Sequence, residues 1–574
     1  MNGKNLRTKG CYSRGLGRFK KHTTRTTARQ PLYNLPVFNT SLKNNLTSKQ
    51  LSVTSYFEKF KYIEKTEEYS YKGNTPGAII KLRQNNFTNG TVRITTPGIY
   101  ILEEDIHFEP NSGNDFMPTR AQIFTGQYPV GNNGAYHLGF FAAITIETTG
   151  VILDLNGKTI TQTLLHNLQQ RFYAHIELAS APFIPKQGPG EFSTDTSFKS
   201  GKYVLIKNGT LGLSSHHGIH GNGMEGVILQ NLLVTHFEVA GIALNGATDC
   251  ILDKITIKES SLDVKVLSSY SQARFIRSFL KRVQTANPKA HLGDKPIDKI
   301  IKELNDGLLE AKKYVKRGQI PSNMFGNIRA NKGYDGNVYG LVLNVNGVVI
   351  NGFITKRPTT AMGNQNIYLH NIHIEKIISS PVEIIALNAA PSDGTAYAGS
   401  RQAGPVGDVL DIKKITGVAG KYTGNILSDA QLIIAKYNYP KMGTTNITNQ
   451  IVEWCEGDED IVDVMKKHNY YNVTGGDSMG HKMKGNIGLF ISAGKNINVN
   501  KLSINNVISL GQNVGRNTLD NSHQGGDSYG VIVTGSSNIS LNNHIIKNIT
   551  TQNMNATHKK IEIMGESVNI STGP

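Results

Sequence analysis

The chain has 574 residues, of which 38% are hydrophobic and only 18% charged, with 59 glycines and asparagine throughout. A disordered polyampholyte would carry more charge and proline, and no run reaches the roughly 18 apolar residues of an ordinary transmembrane helix. Three cysteines, Cys11, Cys250 and Cys455, exclude a disulfide scaffold or a cysteine-rich zinc module. The formal net charge of +18 is uneven: residues 1–49 hold eleven Lys or Arg and no acid, and the first acid is Glu58. A basic arm therefore precedes a nearly neutral body.

The arm is rich in Gly, Thr and Arg and lacks apolar periodicity, so it is expected to be extended on its own. It has no hydrophobic stretch of the secretory kind, and its glycines count against the amphipathic helix of a transit peptide. Arg14, Arg18, Lys20, Lys21, Arg25 and Arg29 are the candidate partner-binding residues, suited to phosphates of nucleic acid or to an acidic protein surface. The plainer alternative is a solvated tail. Residues 50–139 read as an N-terminal cap region.

Beyond residue ~85 short apolar runs bounded by Gly or Asn appear, and from residue 140 they read as coils of a repeat. Ile219, Ile228, Leu232 and Val234 recur 23 residues later as Ile242, Ile251, Ile255 and Ile257. Runs with the same rhythm fill 140–258, 338–388 and 486–574. A repeat this short cannot bury its own apolar face, but stacked repeats can. The expected fold is mainly β: a single-stranded parallel β-helix, or solenoid, of ~23-residue coils with three short strands each. Asn at equivalent corners would hydrogen-bond from coil to coil, and Ile228 with Ile251, like Leu232 with Ile255, would stack inward.

Two insertions interrupt the repeat. Within 259–337, residues 268–317 predict a helical hairpin. Its first helix shows Ile276, Phe279, Leu280 and Val283; its second, opened by Asp294 and Pro296, carries Ile297, Ile300, Ile301, Leu304, Leu308 and Val315. The stripes are expected to pack together or on the flank of the coils, with docking of another subunit as the alternative. Residues 389–485 predict an irregular insertion with the only Trp, Trp454, beside an acidic run that reads as solvated.

The N-x-x-I-x-N-x-x-I pattern with Gly-Ile and Gly-Val strand openings resembles the pectin-lyase-like right-handed parallel β-helix superfamily. That superfamily contains polysaccharide lyases, hydrolases and epimerases, and also non-enzymatic viral fibre and spike proteins. The Ile/Asn/Lys bias is similar to that of β-helix proteins of large DNA viruses. The resemblance implies a structural component of a virion, capsid-associated or a surface spike, assembled in the host cytoplasm. Its partners would be other virion proteins, met through the arm and the insertions, or further copies of itself. No cofactor is expected.

The alternative is a carbohydrate-active enzyme or a sugar-binding module. Its best candidates are Asp249, Asp253, His217 and His220. His217-Gly218 resembles the His-Gly motif of polygalacturonase-type hydrolases, although the upstream Asp-Asp and downstream Arg-x-Lys of that family are missing here. Asp249, Asp253 and Lys254 could serve a lyase, which must neutralise a uronate and remove the adjacent proton. Strand alternation would place Asp253 and Lys254 on opposite faces. His217 and His220 could share a metal, whereas His216 and His217 would diverge on a strand. The near copies GGDSMG (475–480) and GGDSYG (525–530) suggest that Asp477 and Asp527 cap equivalent bends.

Overall fold

A computed structural model describes residues 40–114, 140–169, 172–182, 198–260, 288–315, 338–344, 363–379, 485–509, 527–551 and 556–573, with short gaps within the first, fifth and last stretches and some residues between 116 and 136 and between 277 and 284. The chain divides into two units, residues 1–34 and 35–574. The six basic candidates of the arm, the predicted insertion at 389–484 with Trp454, and GGDSMG lie outside the described residues. The first predicted helix of the hairpin is described only at Arg277, Lys281 and Gln284.

The Ile- and Val-rich runs form strands, and the chain deals them alternately to two parallel sheets. One sheet has nine strands, from Val92–Ile94 through Phe140–Ile146, Phe172–Glu177, His217–Asn222, Ala240–Asn245, Val338–Asn344, Gly485–Ser492 and Asp527–Thr534 to His558–Met564. The other has twelve. Its main path runs from Ile79–Leu82 through Gly98–Leu102, Thr149–Asp154, Lys202–Leu211, Glu225–Thr235, Ile251–Lys258, Gln365–Ser379, Lys495–Ser509 and Ser537–Thr551 to Val568–Ser571. The protein is thus mainly β with parallel sheets, and the sheets take in strands from Ile79 onward.

The 23-residue register is met at each pair. Ile219 lies opposite Ile242, Ile228 opposite Ile251, Leu232 opposite Ile255 and Val234 opposite Ile257, all buried. One apolar cluster takes Ile219, Ile242, Leu229, Leu252, Leu232 and Ile255 from both sheets. Ile228 and Ile251 do not join it, contrary to expectation. They alternate with Val227, Leu229 and Leu252, so they face away from that core. On this outer face the helix Ser48–Glu58 packs against the strands Lys202–Leu211 and Glu225–Thr235, burying Val53 and Phe57.

That helix opens with a capping box. The Thr47 N–H donates to Gln50 Oε1 (3.0 Å), and the Gln50 N–H donates to Thr47 Oγ1 (3.2 Å). The Gln50 amide nitrogen then reaches the carbonyls of Cys250 (3.3 Å) and Asn366 (2.6 Å), tying the helix to the sheet. Residues 40–49, read from sequence as the end of the arm, include the helix Thr40–Lys43 and the buried Leu42 and Leu46.

The second and third strands expected in each repeat are one strand bent at left-handed residues five apart. Asn366, Asn371 and Lys376 have positive φ, as do Asn496, Lys501, Asn506 and Asn538, Asn543, Asn548. The pairing skips these positions and resumes beyond them. A left-handed L-residue costs about 1–2 kcal/mol, least for Asn, and here the side chains bond between strands. Asn496 Nδ2 donates to Asn366 Oδ1 (3.2 Å), Asn538 to Asn496 (3.1 Å) and Asn569 to Asn538 (3.0 Å).

The predicted second helix of the hairpin is present as Ile297–Val315, with Ile297, Ile300, Ile301 and Leu308 buried. It contacts the short helix Leu164–Gln169. These four residues of its stripe are therefore packed within the chain.

Glycine is required near the start of the strand Val338–Asn344. A Cβ on Gly340 would lie 2.6 Å from the Gly488 carbonyl oxygen and 2.6 Å from Ile374 Cγ2. Gly340→Ala should therefore lower stability by about 2–3 kcal/mol in urea unfolding, whereas Gly113→Ala, where a Cβ meets nothing, should change it by less than about 0.5 kcal/mol.

Candidate functional site

The four candidate side chains divide between the two sheets. Asp253 belongs to the twelve-stranded sheet, with Asp249 in the bend just before its strand Ile251–Lys258, and His217 and His220 belong to the nine-stranded one. They form two separate groups.

Asp253 stands in a polar file that crosses the twelve-stranded sheet. Asp154, Lys207, Gln230, Asp253, His370, Asn500 and Asn542 are successive register partners. Lys207 Nζ and Asp154 Oδ2 form a buried ion pair at 3.1 Å. Asp154 Oδ1 also accepts from the Asn156 N–H (2.8 Å). Buried Asp253 accepts from Gln230 Nε2 (3.1 Å) and pairs with His370 Nδ1 (2.8 Å). His370 stacks on Tyr368, whose hydroxyl is held above the usual tyrosine range first by burial, with the Asp253 charge adding to the rise. Lys254 is a left-handed residue at the adjoining bend, exposed and outside this file. Asp249 heads a different file: left-handed itself, it accepts from Asn366 Nδ2 (2.9 Å) and so terminates the asparagine ladder.

The histidines sit at the opening of the strand His217–Asn222. His220 Nδ1 and Glu177 Oε2 are 2.6 Å apart, and Asn245 Nδ2 is 3.2 Å from His220 Nε2. With Asn245 donating to Nε2, the ring proton lies on Nδ1 and donates to Glu177. Burial raises the Glu177 carboxyl above the usual glutamate range, against the pull of the His220 charge and hydrogen bond. His217 stacks parallel to His220 with centroids 4.9 Å apart. Burial holds His217 well below the ordinary imidazole range, and the neighbouring His216 and His220 charges add to that.

His216 and His217 come together rather than diverge, with 3.1 Å between their Nδ1 atoms. His216 precedes the strand in a bend, so strand alternation does not govern it. Imidazole binds metal in its ring plane, and two parallel stacked rings have no common point in plane. Among the described residues no group of three His, Cys, Asp or Glu side chains is placed to hold a metal ion.

Beside the histidines lies a cluster that the sequence did not announce. Arg93 Nε donates to Glu147 Oε1 (2.8 Å) and its Nη2 to Glu147 Oε2 (2.5 Å), while Thr145 Oγ1 donates to Glu147 Oε1 (2.7 Å). Thr145 is the register partner of Glu177. Tyr136 is buried near both acids. Burial raises its hydroxyl pKa far above the usual range, with Glu177 and Glu147 adding to the rise. Two buried carboxylates, one bound to Arg93 and one to His220, thus share a face of the nine-stranded sheet. Further along that face the files turn apolar, through Ala243, Val342, Phe490 and Ile532.

No protein-family model matches this sequence, and no curated protein matches it either. No helix among the described residues is long and apolar enough to cross a membrane.

GGDSYG opens the strand Asp527–Thr534, whose register places Gly485 opposite Asp527. The partner strand is offset by 42 residues, and Asp477, expected to cap an equivalent bend, lies outside the described residues. Burial pushes the Asp527 carboxyl up to about 6, against a hydrogen bond from the Thr557 N–H (2.7 Å). Between the ordinary aspartate value near 4 and pH 6, the folded chain therefore holds a proton that the unfolded chain has released. Asp527 favours the folded state most below about pH 4, and this advantage is lost as pH rises through 6. Urea midpoints should show a decline worth about 2 kcal/mol over that window, and Asp527→Asn should remove it.

Proposed function

We propose that the two sheets are faces of one parallel β-solenoid of the pectin-lyase-like kind, with the bent strands of the twelve-stranded sheet supplying two of three strands per coil. The alternation of successive strands between sheets supports this reading, as does the 23-residue register. We further propose that the chain is a non-enzymatic structural component of a large DNA virus particle, capsid-associated or part of a spike. The observation that carries this is the use made of the reactive side chains. Asp249, Asp253 and His220 each bond a residue of an adjacent strand, so the groups available for chemistry fasten the stack instead. A rod fastened in this way is stiff and offers long flanks for lateral contact. Mass spectrometry of purified particles should find the chain at stoichiometric abundance; its absence would remove this reading.

The basic arm is the proposed attachment, with Arg14, Arg18, Lys20, Lys21, Arg25 and Arg29 meeting an acidic protein surface or phosphates. Several cations engaged together give salt-sensitive binding. Deleting residues 1–30 should leave the melting temperature unchanged while incorporation into particles falls and loses its salt dependence. Equal incorporation of the truncated chain at every salt concentration would make the arm a solvated tail.

A second reading, a polysaccharide-cleaving enzyme, is favoured by one observation: Glu147 and Glu177 lie on one face beside His220, in the different electrostatic settings that acid and base roles require. Under the structural reading, pectate and alginate are not depolymerised at a rate that Glu177→Gln, His217→Ala or Asp249→Asn abolishes. Reducing-end and unsaturated-uronate assays on the purified chain and these variants decide between the two.

A further inference from the structure

One line of bends in the twelve-stranded sheet carries two lysines among asparagines. Asn208, Asn231, Lys254, Asn371, Lys501 and Asn543 form one file of left-handed residues, fixed in order by the pairing on either side of each. A lysine there bears the left-handed penalty that is least for Asn, and it forgoes the bond that Asn231 makes to Asn208 (3.0 Å). In the two neighbouring files of bends, each residue other than Asn or Gly meets an answering group. Tyr203 packs on Tyr56, Asp249 accepts from Asn366, and Glu259 pairs with Lys376 at 3.0 Å and His236 at 3.7 Å. Lys254 and Lys501 are exposed, and among the described residues neither forms an ion pair or a side-chain hydrogen bond.

The two lysines stand on either side of the exposed Asn371, two strands and so about 9.6 Å apart along the sheet. The next outward positions, Thr256, His373 and Ser503, are polar and half-buried, so the surface offers no apolar seat. The acids beside it in sequence are already engaged, Asp253 with Gln230 and His370, and Glu375 with His373. The occupant that fits is an acidic segment in the polyproline II form, which repeats its side-chain direction every three residues, or about 9.3 Å. The acidic run of the second insertion, outside the described residues, has Glu453, Glu456 and Glu459 at that spacing.

We propose that this run, supplied by a second copy of the chain, docks across Lys254 and Lys501, with Asn371 between them bonding its backbone. Two copies that exchange runs make the contact twice. This names a lateral contact for the structural reading, but it is tested on the purified chain, so absence from particles would remove that reading and leave this one standing.

Sedimentation velocity on the full chain follows the association. Exposed ion pairs are individually weak and screened, so the chain should self-associate reversibly at low salt and dissociate as salt rises. Lys254→Asn with Lys501→Asn should weaken association about tenfold without lowering the melting temperature, because Asn is the usual residue of the file. Lys49→Gln with Lys299→Gln, an equal change of charge at exposed lysines of two helices, should leave association within about twofold. A chain with Lys254→Glu and Lys501→Glu should associate with one carrying Glu453→Lys and Glu456→Lys, although each associates poorly alone. That mixture reports contact between copies, and it decides the question even where the Asn variant folds badly. A chain that is monomeric at low salt, an association that survives Lys254→Asn with Lys501→Asn, an equal loss in the control, or a mixture that fails to associate overturns the proposal.

Discussion

Parallel, in-register stacking is the constraint on which the rest of this structure depends. When each strand lies directly on the last, a side chain meets its counterpart in the next strand, and each file across the sheet must be consistent with itself. Apolar files such as Leu229 and Leu252 satisfy this by burial. Asparagine files satisfy it because an amide both donates and accepts, so Asn366, Asn496, Asn538 and Asn569 can bond in sequence without a break. A carboxylate only accepts, so Asp249 fits at the end of such a ladder. Gly340 obeys the same rule sterically: a Cβ there would meet the Gly488 carbonyl oxygen and the Ile374 side chain.

Charged groups in the interior of a polar file stand beside a partner that answers them. A file of aspartates would repel itself, and an isolated one would lose its hydration for nothing. Asp154 is followed by Lys207, and Asp253 is flanked by Gln230 and His370. Such buried pairs add little net stability, because desolvation consumes most of the Coulomb gain. They do penalise a slipped register, since a shift of one residue would leave both charges unpaired. The same accounting applies to Glu177 and His220, with Arg93 and Glu147 nearby.

How far this was legible in sequence depended on the loops. Between 217 and 258 the connections are short and the offset stays at 23 residues, so Ile228 with Ile251 and Leu232 with Ile255 could be matched directly. Elsewhere long connections intervene. Glu177 is 43 residues before His220, and His370 is 117 after Asp253, although each pair is adjacent in space. A fixed-period search does not reach such partners; matching the strand FYAHIE to HGIHGN could have found the first. The facing of Ile228 and Ile251 was misjudged for another reason. Both faces of the strand are buried there, one by the core and the other side by the helix Ser48–Glu58, and periodicity carries no orientation when polar residues do not mark one face.

That helix also ties the segment read from sequence as the end of the arm to the sheets. Gln50 closes the capping box with Thr47 and bonds two carbonyls of the twelve-stranded sheet, so the helix Ser48–Glu58 is held at a fixed point on that sheet's outer face. Burial at Leu42 and Leu46 and the ion pair between Lys43 and Glu58 (2.6 Å) tie the helix Thr40–Lys43 to Ser48–Glu58, so residues 40–49 are fixed by packing although their composition matches that of the basic run. Composition reads charge, whereas the boundary of a packed segment is set by apolar contacts and capping, and here only Leu42, Leu46 and the Thr47–Gln50 pair carried that signal.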